Sequence, residues 1–160
     1  MKKVLLAAVL LVAFFGHAKI SFSEPKVMAW IANHSAKAMS GDPSACEDYT
    51  ADMEVTLTAA GARGTWEVEG GKKEMCGYMR QAAAAFTVLQ ARTETQFDQV
   101  KITPSGFPWM SAKVNYIQRT SVNGSNLPSV TIESEDTLVL VRTLSGIKIK
   151  AIESHSTGGI

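Results

Sequence analysis

Residues 130–155 read VTIESEDTLVLVRTLSGIKIKAIESH, and the alternation within them decides the fold. Val130 to Arg142 alternates at first and is then apolar on both parities at Leu138, Val139, Leu140 and Val141. Apolar residues on both faces imply packing on each side, as in the centre of a sheet. Ser145 and Gly146 form a tight turn, with glycine where a positive φ is easiest. Beyond it, Ile147, Ile149 and Ala151 share one face and Lys148 and Lys150 the other, so the two runs make a hairpin.

Working outward, residues 109–121 (WMSAKVNYIQRTS) place Met110, Ala112, Val114 and Tyr116 on an inner face and Ser111, Lys113, Asn115 and Arg119 mostly outside. From Thr95 to Thr103, Asp98, Val100 and Ile102 share one parity, opposite to Phe97, Gln99 and Lys101, and Pro104, Ser105 and Gly106 stop the run. Glu94 to Ser154 therefore reads as four antiparallel strands. The first half covers them. Pro25 in a first turn, with Val27, Trp30, Ile31, His34 and Ala38 at spacings of three and four, predicts a helix ending near Gly41. Asp42 and Pro43 open a short second helix carrying Cys46 and Tyr49. Met53, Val55 and Leu57 alternate in a strand, a shorter strand follows around Thr65 to Glu69, and Lys72 to Ala91 is the longest helix. Residues from Ser156 onward read as a frayed tail.

Lys2 and Lys3 precede an apolar run from Val4 to Phe15, and Gly16, His17 and Ala18 supply the small residues of a cleavage site. Residues 1–18 thus read as a secretory signal, too short for a spanning helix of about 20 apolar residues. They leave a single domain over 19–160, periplasmic or secreted. Without Lys2 and Lys3, fourteen basic residues face fifteen acidic ones. That balance gives no electrostatic footprint for nucleic acid and no long-range pull toward a membrane surface. Cys46 and Cys76 are the two cysteines of the chain, and in an oxidising compartment they should pair. No ligand spacing suggests a metal, and no motif calls for a cofactor.

Helix, short helix, strand, short strand, long helix and four antiparallel strands require helices over one face of a curved sheet, an α+β architecture. This order resembles the NTF2-like superfamily, the cone fold of ketosteroid isomerases, SnoaL-type cyclases, dehydratases and many non-enzymatic binding or assembly domains. The resemblance covers about residues 24–154 and implies a pocket between the helices and the concave sheet face. It carries no catalytic residue across, because no diagnostic motif is present.

Polar residues on inward parity are Asp98, Gln118, Ser134 and Asp136, joined by His34 on the first helix. A turn centred on Ser145 and Gly146 would set Asp136 opposite His155, and a carboxylate beside an imidazole suits general acid/base work. A turn centred one residue earlier would set Asp136 opposite Glu153 and remove that pair. Trp30, Tyr49, Met79 and Tyr116 are the expected ligand contacts, near junctions of helix and sheet. Three functions are compatible with these residues. The favoured one is an exported module that binds a small apolar molecule or a protein partner without catalysis. An isomerase, cyclase or dehydratase using His34, Asp98 or Asp136 as base is the alternative, and an assembly domain, with homodimers through the sheet, is the third. Intact-mass measurement on exported protein should find a chain beginning at Lys19, lighter than its reduced form by two thiol hydrogens; a membrane-retained chain keeping residues 1–18 would reveal an anchor.

Overall fold

A computed structural model describes residues 22–61, 64–105, 110–124 and 127–158. The expected signal segment 1–18, Gly106 and Trp109 lie outside those residues.

Helix α1 (Glu24–Ser40) begins with Pro25 in its first turn and ends where Gly41 adopts the left-handed conformation, φ 74°. Its N–H and that of Asp42 return to the carbonyls of Ala38 and Lys37, satisfying the last turn. Val27, Ile31 and His34 are its buried face. A 3₁₀ turn (Pro43–Asp48) follows, opened by the Asp42 side chain accepting from the Ser44 N–H at 2.8 Å. Tyr49 does not sit in this turn, as the sequence suggested, but begins strand β1 (Tyr49–Gly61). After β2 (Gly64–Gly70), helix α2 runs Lys72–Val88, three residues shorter than expected. Gln90 takes a positive φ of 50° there, and the Ala91 N–H closes on the Phe86 carbonyl, turning the chain toward the sheet.

Four long strands follow: β3 (Arg92–Ser105), β4 (Ser111–Gly124), β5 (Leu127–Thr143) and β6 (Gly146–Gly158). The sheet order is β2-β1-β6-β5-β4-β3. All neighbours are antiparallel except β1 and β6, whose parallel pairing joins the N-terminal hairpin to the C-terminal meander. One face of this curved, unclosed sheet carries the helices. The core between them includes Val27, Tyr49, Val114, Leu140 and Ile149, all fully buried. On the opposite face, Val139 and Val141 are half-buried.

Two bulges alter the parities read from sequence. In β3 the pairing shifts between Asp98 and Lys101, with Gln99 at φ 53°. Phe97, Val100 and Ile102 consequently all pack on the core, while Asp98 turns outward to meet Arg119 at 2.7 Å. The strand also continues through Pro104 and Ser105 rather than stopping there. In the last hairpin Thr143 pairs with Gly146, so the turn centres on Leu144 and Ser145, one residue earlier than expected, and Gly146 at φ 116° begins β6. Lys150 then bulges, since Leu140 pairs with Ile149 but Val139 with Ala151. From that point Ile152, Ser154 and Ser156 face the cavity, and Ala151, Glu153 and His155 face away. The expected Asp136–His155 pair is therefore absent: Asp136 pairs with Ser154, and Glu135 with His155. Nor does the chain fray at Ser156, because β6 pairs with β1 through Thr157 and with β5 through Gly158.

Cys46 of the 3₁₀ turn and Cys76 of α2 stand at disulfide distance, with Cα atoms 5.8 Å apart and a sequence separation of 30. Replacing both by Ala should lower unfolding stability by about 3 to 4 kcal/mol, the loop-closure entropy of such a link. Denaturant unfolding of the oxidised parent and the double variant measures this, and equal midpoints would show that the link does not form.

Candidate functional site

Between α1, α2 and the concave sheet face lies a cavity of about 300 Å³. Its walls are apolar and aromatic, with Trp30, Trp66, Tyr78, Met79, Phe86 and Leu138 among them. Polar side chains enter as two groups.

The first group hangs from α1. His34 falls on the same stripe as Val27 and Ile31, so helical spacing turns it inward. Its ring stacks on Trp30, centroids 5.6 Å apart and planes 6° from parallel, and meets Tyr49 edge-on at 5.2 Å. Nδ1 lies 3.0 Å from the Asp48 carboxylate, which also accepts from Lys37 Nζ at 3.3 Å. Nε2 lies 3.1 Å from the Tyr49 hydroxyl, which in turn lies 3.2 Å from the Met79 sulfur. A phenol has one proton to give. When His34 is neutral and donates from Nδ1 to Asp48, Tyr49 can donate to Nε2. When His34 is protonated, Nε2–H donates to the Tyr49 oxygen and the phenol proton points to Met79, a weak acceptor. The Asp48–His34–Tyr49 chain can thus take up a proton by reorienting one hydroxyl. Burial lowers the His34 pKa below its ordinary 6.5, with Asp48 opposing. Burial also raises the Tyr49 pKa, keeping it a neutral donor at pH 7.

The second group is the floor. Tyr116 of β4 and Ser154 of β6 are the direct cross-strand neighbours of Asp136 on β5, and Ser134 is two residues before it on the same face. Period-two geometry, with the Lys150 bulge that sets Ser154 opposite Asp136, brings these four together. Ser134 donates to Asp136 Oδ2 at 3.1 Å and Ser154 to Oδ1 at 2.5 Å. The Tyr116 phenol is the third polar neighbour of this carboxyl, from the directly opposite position on β4. Asp136 is only 8% exposed. Desolvation pushes its carboxyl up while the three hydroxyls pull it down, and the upward push is the larger. Burial likewise holds the Tyr116 phenol well above its usual range, and its ring meets Phe97 edge-on at 5.5 Å.

Of the residues picked from sequence, His34, Asp136, Trp30, Tyr49, Met79 and Tyr116 line this one cavity, with Gln118 and Ser134 beside them. Asp98 and His155 lie outside it. Asp98 joins an exposed Arg119–Glu133 network, and His155 bonds Thr58 at 2.7 Å and Glu153 at 3.2 Å on the far face. Asp48, Ser154 and Trp66 join the site without having stood out. Ser154 would have been found by shifting the hairpin turn and adding the Lys150 bulge; Asp48 had only its position beside Tyr49 to mark it. Among the described residues, no group of three His, Cys, Asp or Glu is placed to hold a metal, and no helix is long and apolar enough to cross a membrane.

An α+β cone with a cavity under its helices has many structural counterparts. Aln2 from a Streptomyces species aligns with a TM-score of 0.62 at 17% identity, covering 81% of this chain and 86% of its own. An NTF2-like protein with a cystatin-like fold from Novosphingobium aromaticivorans aligns at 0.59 and 17% identity, covering 96% and 87%. A scytalone-dehydratase-like protein from the same organism aligns at 0.60 and 12% identity, covering 84% and 82%. The chain has the NTF2-like fold. No family model matches the sequence, and no curated protein does.

The His34 geometry has a consequence for stability. The unfolded chain takes up a proton as pH falls through 6.5, whereas the folded chain holds His34 neutral to lower pH. His34 therefore costs nothing above that pH and destabilises progressively below it, until the folded pKa is reached. His34→Gln should flatten the fall of the thermal midpoint just below pH 6.5 relative to the parent. Parallel curves for the two proteins would contradict a buried neutral imidazole.

Proposed function

We propose that this protein is exported and binds a small, largely apolar molecule carrying a hydrogen-bond acceptor, without altering it. The observation that carries this reading is the cavity wall. Trp30, Trp66, Tyr78 and Phe86 make it largely aromatic, with a few polar side chains set among them. A ligand carbonyl or ether oxygen could accept from a hydroxyl of that lining, such as Tyr78 or Ser156. The cavity volume, about 300 Å³, suits a molecule of one or two rings. Export is supported by the Lys2, Lys3 and Val4–Phe15 pattern and by cysteines at disulfide distance.

The Asp48–His34–Tyr49 chain favours a second reading, an isomerase, cyclase or dehydratase acting in the same cavity. His34 would then be the general base oriented by Asp48, with Tyr49 donating to a developing oxyanion and Asp136 as an alternative base. Asp98 and His155 have no part in it, being outside the cavity. A protein partner on the outer sheet face is a different arrangement, in which the cavity stays empty.

Native mass spectrometry on protein purified undenatured from the exported compartment separates these. A retained small-molecule adduct whose mass is unchanged after incubation with fresh protein is the expected result. An adduct converted in mass, or exchanging deuterium at carbon in a way that His34→Gln stops, would replace binding by catalysis. Bare subunits or bare dimers would overturn both cavity readings.

A further inference from the structure

The floor of the cavity holds a buried carboxyl to which, among the described residues, no cation is bonded; the His155 imidazole that acts on it electrostatically lies on the far face of the sheet. Asp136 is buried, Ser134 and Ser154 donate to it, and Tyr116 stands directly opposite, so the groups around it are neutral hydroxyls. A carboxylate has about four acceptor positions, so the two serine donors leave acceptor positions open on a residue that lines the cavity. Hydroxyl dipoles stabilise an anion but do not cancel it. Among the described residues no Lys or Arg lines the cavity, and His34 is held toward its neutral form by burial. The walls, in contrast, are suited to a cation. Trp30, Trp66, Tyr78 and Phe86 all border the cavity, and aromatic faces attract ammonium groups. The Trp66 and Tyr78 rings also touch each other, 5.2 Å apart, linking the β1–β2 hairpin to α2.

We infer that the ligand is a small ring-bearing amine whose ammonium group is held by Asp136. This rests on the small-molecule reading above and adds the charge of the molecule to it. The ammonium donates to a free acceptor position of the Asp136 carboxylate, the ring lies against the aromatic wall, and an acceptor elsewhere on the molecule reaches a hydroxyl of the lining. The same geometry disfavours carboxylates most, since a second anion beside Asp136 is repelled at low dielectric. It disfavours uncharged rings less, because they leave Asp136 as it is.

Three probes on one skeleton test the charge: 2-aminoindane, 2-indanol and indane-2-carboxylate, titrated into ligand-free protein at pH 7 by calorimetry. The amine should bind at least about tenfold more tightly than the alcohol, a difference of about 1.4 kcal/mol, and the acid most weakly. Asp136→Asn should abolish the difference between amine and alcohol. Equal binding of amine and alcohol, or an amine preference that survives Asp136→Asn, overturns the inference while leaving a small-molecule site in place. Failure of all three to bind overturns the inference together with the reading it rests on. The wild-type series alone decides the sign of the charge preference even where Asp136→Asn does not fold.

Discussion

Strand β6 is hydrogen-bonded along both edges, antiparallel to β5 and parallel to β1, so it alone holds the N-terminal hairpin against the rest of the sheet. The cavity depends on that double seam. On one side it delivers Ser154 to Asp136, and on the other it sets Tyr49, at the start of β1, beside Ile149. Tyr49 in turn fixes where His34 can find a partner, and so where α1 lies. The disulfide-distance cysteines secure the same corner from above, because Cys46 precedes Asp48 and Tyr49 by a few residues while Cys76 precedes Met79 on α2. Each member of the Asp48–His34–Tyr49–Met79 chain is thus held by a different element, and none is positioned by its own segment alone.

The two polar groups differ in how they meet the cost of burial. At the helix side, Asp48 is matched by Lys37 and by the imidazole, and it stands partly toward solvent. At the floor, the carboxylate is met by hydroxyls, which align their dipoles without lending a charge. Buried anions satisfied only in this way stay sensitive to whatever enters beside them, because desolvation and not pairing sets their energy. An otherwise apolar wall makes that sensitivity selective.

Much of the architecture could be read from alternation and helical spacing. Val27, Ile31 and His34 on α1, Met53, Val55 and Leu57 on β1, and Ala112, Val114 and Tyr116 on β4 all occupy the faces their spacing assigns. The errors of parity share one cause. A bulge inserts a residue and reverses every later parity, and its position depends on the partner strand, which no single segment records. Gln99 and Lys150 are ordinary residues in sequence, yet the first sends Asp98 outward and the second, together with the earlier turn, replaces His155 by Ser154 opposite Asp136. The parallel seam was hidden for a similar reason, since β1 and β6 meet only after the whole chain is assembled. Asp48 was missed because a 3₁₀ turn has no periodic face by which to judge direction.

The seam between β1 and β6 also sets the order in which the molecule can form. Thr58 and His155 hydrogen-bond across 97 positions of sequence, so this closure demands one of the longest excursions the chain makes. The β1–β2 hairpin and the β3–β5 meander can each assemble early from local contacts, but neither encloses a cavity. Contacts this distant slow folding, because the loop must be closed before they contribute any stability. Until β6 docks, one edge of β1 and one edge of β5 stand open, and the folding chain is most vulnerable to pairing with a neighbour during that interval.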